Sequence, residues 1–170
     1  MNKFIIFVLG IVAALGGLFA YNQLTNSDSK TNINTNTNSS VAQQPSNSIV
    51  ADYSNKGLSQ FPKEVLSKTN TTILYIQNNK LSGAMPAEIK NLQNLVILDA
   101  SNNQMTGIPA EVGQLKNVKT LNFANNQLTG LPLELGNLTQ LETLDLRGNN
   151  VSQQDLNQIK AKLTATTIYQ

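Results

Sequence analysis

Three consecutive stretches of the chain are versions of one another, and their spacing leaves few folds open. The string LVILDASNNQMTGIPAEVGQLKN begins at Leu95, VKTLNFANNQLTGLPLELGNLTQ at Val118 and LETLDLRGNN at Leu141, so both offsets are 23 residues. A fourth copy, TTILYIQNNKLSGAMPAEIKNLQN, begins at Thr71, an offset of 24, with its additional residue between Leu81 and Met85. A fixed period of this length means that one short supersecondary unit is stacked on itself. No single unit can bury its apolar side chains alone, so neighbouring units must share one continuous core.

The pattern inside a unit gives its shape. Leu98 and Ala100 alternate with Ile97, Asp99 and Ser101, the period of a strand with one face inward. Asn103 follows where the chain must leave the strand. Gly107 and Pro109 then break any long helix. Val112 and Leu115, three apart, turn one face of a short helical or irregular return segment back toward the core.

These repeats resemble the leucine-rich repeat family. Its pattern of Leu-x-x-Leu-x-Leu-x-x-Asn-x-Leu stands here as Leu141, Leu144, Leu146, Asn149 and Val151, and again as Val118, Leu121, Phe123, Asn126 and Leu128. The second copy continues into the return segment with Leu131, Pro132, Leu135 and Leu138. The strings LSGAMPAEIKNLQNL and LTGLPLELGNLTQL are similar to the plant-type and bacterial variants. The resemblance covers residues 49–170 and implies an α/β solenoid, a horseshoe with a parallel sheet on its concave side. It also implies a structural ladder of Asn79, Asn103, Asn126 and Asn149, whose amides satisfy backbone groups of neighbouring turns that would otherwise be buried without partners.

Both ends of the array depart from the pattern. An entry turn over 49–70 carries Tyr53, Leu58, Phe61, Pro62 and Val65 in register, with Lys56 at the ladder position. The repeats proper run over 71–151 and a C-terminal cap over 152–170. In the cap, Ser152 and Asp155 form a capping-box pattern before a helix whose apolar face holds Leu156, Ile159 and Leu163. The terminal TTIYQ reads as a last edge strand, with Ile168 in register with Leu144.

The amino-terminal part is of another kind. Phe4 to Tyr21 is an uncharged run of 18 residues behind Lys3. As a helix it spans about 27 Å, close to the hydrocarbon thickness of a bilayer. Residues 1–21 are therefore expected to form a signal-anchor transmembrane helix with a cytoplasmic amino terminus and an extracytoplasmic repeat domain. Cleavage after Ala20, releasing a secreted protein, is the alternative, although Leu18 suits a cleavage site poorly. Residues 22–48 form an Asn/Ser/Thr-rich linker, in which those three residue types supply 17 of 27 positions. Such a composition favours disorder.

If the resemblance holds, binding falls to the strand side chains that face away from the core. They lie in rows: Val50, Ile73, Ile97, Thr120 and Thr143; Asp52, Tyr75, Asp99, Asn122 and Asp145; Ser54, Gln77, Ser101, Ala124 and Arg147. The candidate contacts are Val50, Asp52, Ile73, Tyr75, Ile97, Asp99, Asn122, Asp145 and Arg147. Val50, Ile73, Ile97 and Tyr75 are expected to form a modest apolar patch beside acidic residues, the character of a protein or peptide interface.

Composition closes off other functions. The chain has no cysteine and no histidine, so disulfides, Cys/His zinc sites and His-based catalysis are excluded. A net charge of +2 and 5% aromatic residues give no patch or stacking platform for nucleic acid. Successive members of the set Asp52, Asp99 and Asp145 are two strands apart, about 9–10 Å, too far to share a metal ion. No cofactor is expected, and an enzyme using these acids is only a distant alternative.

Overall fold

A computed structural model of the chain describes residues 48–170. The expected membrane helix over 1–21, and all of the linker but Ser48, lie outside the described residues. Among the described residues, no helix is long and apolar enough to cross a membrane.

Each turn of the chain places one three-residue strand in a common sheet. The strands are β1 (Val50–Asp52), β2 (Ile73–Tyr75), β4 (Ile97–Asp99), β6 (Thr120–Asn122), β7 (Thr143–Asp145) and β8 (Thr167–Tyr169). They are parallel and adjacent in the order β1-β2-β4-β6-β7-β8. The register follows the repeat offsets: Ala51, Leu74, Leu98, Leu121, Leu144 and Ile168 stand side by side. All of this row is buried except Ile168, which is half-buried. The core behind the sheet is one continuous column, running from Val65 through Phe123 to Leu163.

Four prolines start the return segments. Pro62, Pro86, Pro109 and Pro132 precede short 3₁₀ helices at Lys63–Ser67, Ala87–Asn91, Ala110–Gln114 and Leu133–Asn137. Each proline carbonyl accepts from the amide three residues on: Val65, Ile89, Val112 and Leu135 respectively. Those four side chains have no exposed surface. A 3₁₀ turn brings every third side chain back to one face, so Val112 and Leu115 both reach the core. The fixed φ of proline pre-sets the first turn. Neighbouring return segments pack closely at Gly113, where an added Cβ would lie 2.3 Å from the Glu134 carbonyl oxygen.

Leaving each strand requires left-handed backbone. Asn55, Asn78, Asn102 and Asn125 have φ between 54° and 57°, and Gly148 takes the equivalent place at 71°. Asparagine tolerates this region better than other non-glycine residues, so one Asn per turn sits just before the ladder position.

Three features depart from the sequence-based expectations. First, a second small parallel sheet forms on the far side of the ladder, from β3 (Ser82–Ala84) and β5 (Gln104–Gly107). Its register shifts between Gly83 and Ala84, within the segment where the first repeat carries its additional residue, and Gly83 takes φ 74° there. Second, the C-terminal helix α1 (Gln153–Lys160) is shorter than the 152–163 pattern. Third, only half of the capping box is made. The Ser152 hydroxyl accepts from the Asp155 amide, but the Asp155 carboxylate accepts from the Leu131 amide at 3.1 Å instead of reaching back. The Ser152 amide already donates to the Thr129 carbonyl, so the carboxylate is free to cap the preceding turn.

Candidate binding face

Both side-chain polar atoms of each of the four ladder asparagines are engaged within the chain. Asn103 Oδ1 accepts from the Leu81 amide of the preceding turn, while its Nδ2 donates to the Ile76 carbonyl of that turn and the Ala100 carbonyl of its own. Asn126 repeats this with Met105, Ala100 and Phe123, and Asn149 with Leu128, Phe123 and Leu146. Asn79 serves the entry turn, accepting from the amides of Lys56 and Leu58 and donating to the Tyr53 carbonyl. The side chain of Lys56, at the ladder position of that turn, leaves the ladder. Its ammonium donates to the Asp52 carbonyl and stands 4.9 Å from the centre of the Tyr53 ring.

The opposite face of the sheet carries the first two of the expected rows, and the third lies beyond the strand ends. Val50, Ile73, Ile97, Thr120 and Thr143 are in register, as are Asp52, Tyr75, Asp99, Asn122 and Asp145. Tyr169 extends the second row opposite Asp145. The offset of Ile168 from Leu144 would have placed Tyr169 there from sequence.

Exposure differs from the expected apolar patch. Val50 is 45% exposed, but Ile73 and Tyr75 retain only 2% and 5%. Ile97, Asn122 and Arg147 are half-buried, Asp52 is exposed, and Asp99 and Asp145 are buried. An edge strand has a neighbour on one side only, whereas an inner strand is flanked on both sides at about 4.8 Å. Hence exposure is greatest on the edge strands, at Val50 and Asp52 of β1 and Thr167 of β8, and the inner members are half-buried or buried.

The acids of the second row are in two different states. Asp145 is paired: Arg147 Nε donates to its Oδ1 at 3.0 Å, and the guanidinium lies 5.1 Å from the Tyr169 ring centre. Asp99 is in no ion pair among the described residues. Its Oδ1 accepts from the Ser101 amide and hydroxyl at 2.9 and 2.6 Å, and its Oδ2 from Asn122 Nδ2 at 3.1 Å. Burial raises its pKa above the usual carboxylate value, with Asp145 adding to the rise and these hydrogen bonds opposing it. Asp52 Oδ1 accepts from the Ser54 amide and hydroxyl. Burial, then the charges of Asp99 and Asp52, push the Tyr75 phenol up to about 12. Among the described residues, the ion pairs are Arg147–Asp145 and the exposed Lys119–Glu142.

One polar atom was not anticipated. Gln77, expected in the third row two residues after Tyr75, has a buried Oε1 with no hydrogen-bond partner among the described residues. Among the described residues, no three acidic side chains converge to hold a metal ion.

Comparison with known proteins follows this geometry. A family model described as Leucine-rich repeat region matches residues 72–165. A leucine-rich repeat protein from Leptospira interrogans is 36% identical with a TM-score of 0.61, over 65% of this chain and 28% of that one. An internalin from Listeria monocytogenes is 29% identical with a TM-score of 0.57, over 65% of this chain and 31% of that one. The repeat ectodomain of a plant membrane receptor kinase from Arabidopsis thaliana, solved in complex with Casparian strip integrity factor 2, is 36% identical with a TM-score of 0.53. That match covers 58% of this chain and 12% of the receptor. The aligned part is thus less than a third of each of these three structures. No match was found among curated proteins.

Proposed function

The chain belongs to the leucine-rich repeat family, and from that premise we propose that it is a non-catalytic binding module whose concave sheet face holds a protein or peptide. The observation that carries the reading is the set of in-register rows opposite the core. They offer a continuous recognition surface, with open apolar area at Val50 and an exposed acid, Asp52, that makes no ion pair among the described residues. Likeness to a receptor ectodomain solved with its partner supports the same use. The acids stand in different turns, separated by Tyr75 and Asn122, an arrangement that suits contact with an extended partner better than shared chemistry on one atom.

The module is held at a membrane by the apolar run Phe4–Tyr21 and displayed outside the cytoplasm, with 22–48 as its spacer. The uncharged length of that run supports retention, and a secreted form cleaved after Ala20 is the second reading. Two experiments test the proposal. Fractionation is expected to leave the full chain in the membrane pellet, and recovery of the intact chain from the cytoplasm would refute tethering. Pull-down from extracellular extract is expected to retain a partner that is lost with Ile97→Asp and Val50→Asp; partners retained equally by both variants would remove the concave face from the account.

A further inference from the structure

We infer that the Lys56 side chain is a plug on the open edge of the sheet. It takes the place of a preceding turn and keeps β1 from pairing with the β8 edge of a second copy of this chain. The inference is independent of what the concave face holds.

One hydrogen bond recurs from turn to turn. The Tyr75 carbonyl accepts from the Tyr53 amide, the Asp99 carbonyl from the Ile76 amide, and so on to the Tyr169 carbonyl, which accepts from the Leu146 amide. In each pair the acceptor belongs to the later turn. The equivalent acceptor in the first described turn is the Asp52 carbonyl, in register with Tyr75. A trans peptide points its C=O and the following N–H in opposite directions. The Tyr53 amide donates toward β2, so the Asp52 carbonyl faces away from the sheet. The Ile49 carbonyl accepts from the Ile73 amide of β2, which turns the Val50 amide outward as well.

Lys56 Nζ donates to the Asp52 carbonyl at 2.7 Å. The ammonium thus stands where a preceding turn would place its amide, and the Tyr53 ring, 4.9 Å away at its centre, holds it there by cation–π attraction. This accounts for lysine at a ladder position. A ladder asparagine accepts from an amide of the preceding turn, as Asn103 does from Leu81. The first described turn has no such amide behind it, whereas a long cationic side chain reaches back four residues to the edge.

The far edge fits the same register. The Tyr169 carbonyl accepts from Leu146, so the Gln170 amide faces outward, and the Thr167 amide donates to Glu142, so the Thr166 carbonyl does too. Placed beside β1 of a second copy, the Gln170 amide meets the Asp52 carbonyl and the Thr166 carbonyl meets the Val50 amide. These are the pairs that Ile76 makes with Asp99, and Thr72 with Ile97, inside one chain. Such a head-to-tail contact does not close on itself and would build open assemblies. A lysine on an edge strand opposes them, because an incoming strand must displace its charge from the acceptor.

The test is sedimentation velocity on the full chain in one detergent, over a dilution series. The wild type is expected to keep a single sedimentation coefficient. Lys56→Met, which keeps the stem and removes the ammonium, is expected to shift to larger species as concentration rises and to return on dilution, with the wild-type circular dichroism spectrum. Adding Val50→Pro, which removes the outward amide and no bond to β2, is expected to restore the wild-type coefficient. Lys68→Met is the control. Its ammonium lies 5.8 Å from the centre of the same ring and 3.4 Å from the Tyr53 hydroxyl, not on the edge carbonyl, and its loss should leave the coefficient unchanged. A Lys56→Met chain that associates no more than the wild type or Lys68→Met, that loses its fold, or that still associates with Val50→Pro overturns the plug.

Discussion

Replacing Asn126 by alanine tests whether the ladder holds adjacent turns together. Its Oδ1 accepts from the Met105 amide at 2.9 Å, and its Nδ2 donates to the carbonyls of Ala100 and Phe123, both at 3.0 Å. After the substitution the two carbonyls keep a second partner each, Asn103 and Asn149. The Met105 amide keeps none, and Met105 is buried. One orphaned buried N–H costs about 1–3 kcal/mol, and the two weakened carbonyl bonds bring the total to about 2–4 kcal/mol. Asn79→Ala is the internal control. It frees the amides of Lys56 and Leu58, but these belong to exposed and half-buried residues of the entry turn. Water replaces the lost acceptor there, and the cost is about 1 kcal/mol or less. Urea unfolding followed by circular dichroism measures both, with an unchanged m-value required for the comparison. An Asn126→Ala loss within 0.5 kcal/mol of zero, or one no larger than that of Asn79→Ala, would refute the reasoning.

Thr71 occupies the core slot filled by Leu95, Val118 and Leu141 in the later turns, and its buried hydroxyl has no hydrogen-bond partner among the described residues. Thr71→Val is expected to raise the urea midpoint, by about 1 kcal/mol in stability; a lower midpoint would show that the hydroxyl is satisfied in solution. Gly113→Ala is expected to destabilise by about 2 kcal/mol or more, because its Cβ meets the Glu134 carbonyl, whereas Gly107→Ala, with 3.4 Å to Ala84 Cβ, is expected to change thermal stability far less. Tyr75 supplies a pH dependence. Its folded pKa of about 12 lies above the unfolded value of 10.0, so between these values the unfolded chain has lost a proton that the folded chain keeps. Stability should therefore fall as pH rises through that window, by about 2–3 kcal/mol in all. Tyr75→Phe should remove this part of the fall, and an unchanged slope in that variant would assign it elsewhere.

Register was legible because the side-chain period of a strand is two and the repeat offset is constant. Leu74, Leu98, Leu121 and Leu144 are placed side by side by subtraction alone. The return segments were legible in position, through Pro109 and the Val112–Leu115 spacing, but their 3₁₀ form depends on carbonyl geometry. The β3–β5 pair was not legible. Ser82, Gly83 and Ala84 have no alternation to mark a strand, and their pairing comes from backbone groups that the ladder turn brings alongside β5. The first two candidate rows stand in register as subtraction places them, yet their exposure was not legible. Val50 and Ile73 are equivalent in the repeat and differ in solvent contact because one is on an edge strand. The Asp155 pattern was visible, but its carboxylate answers the Leu131 amide of the preceding turn, a partner 24 residues away.

Deleting residues 95–117 removes one whole turn of 23 residues and brings Val118 to the place of Leu95. If the fold is a stack of equivalent turns sharing one core, the shortened chain should keep its circular dichroism spectrum per residue and unfold cooperatively at a lower midpoint. Deleting residues 95–105, about half a turn, should abolish folding. A shortened chain that fails to fold when a full turn is removed, or one that tolerates both deletions equally, would contradict the account.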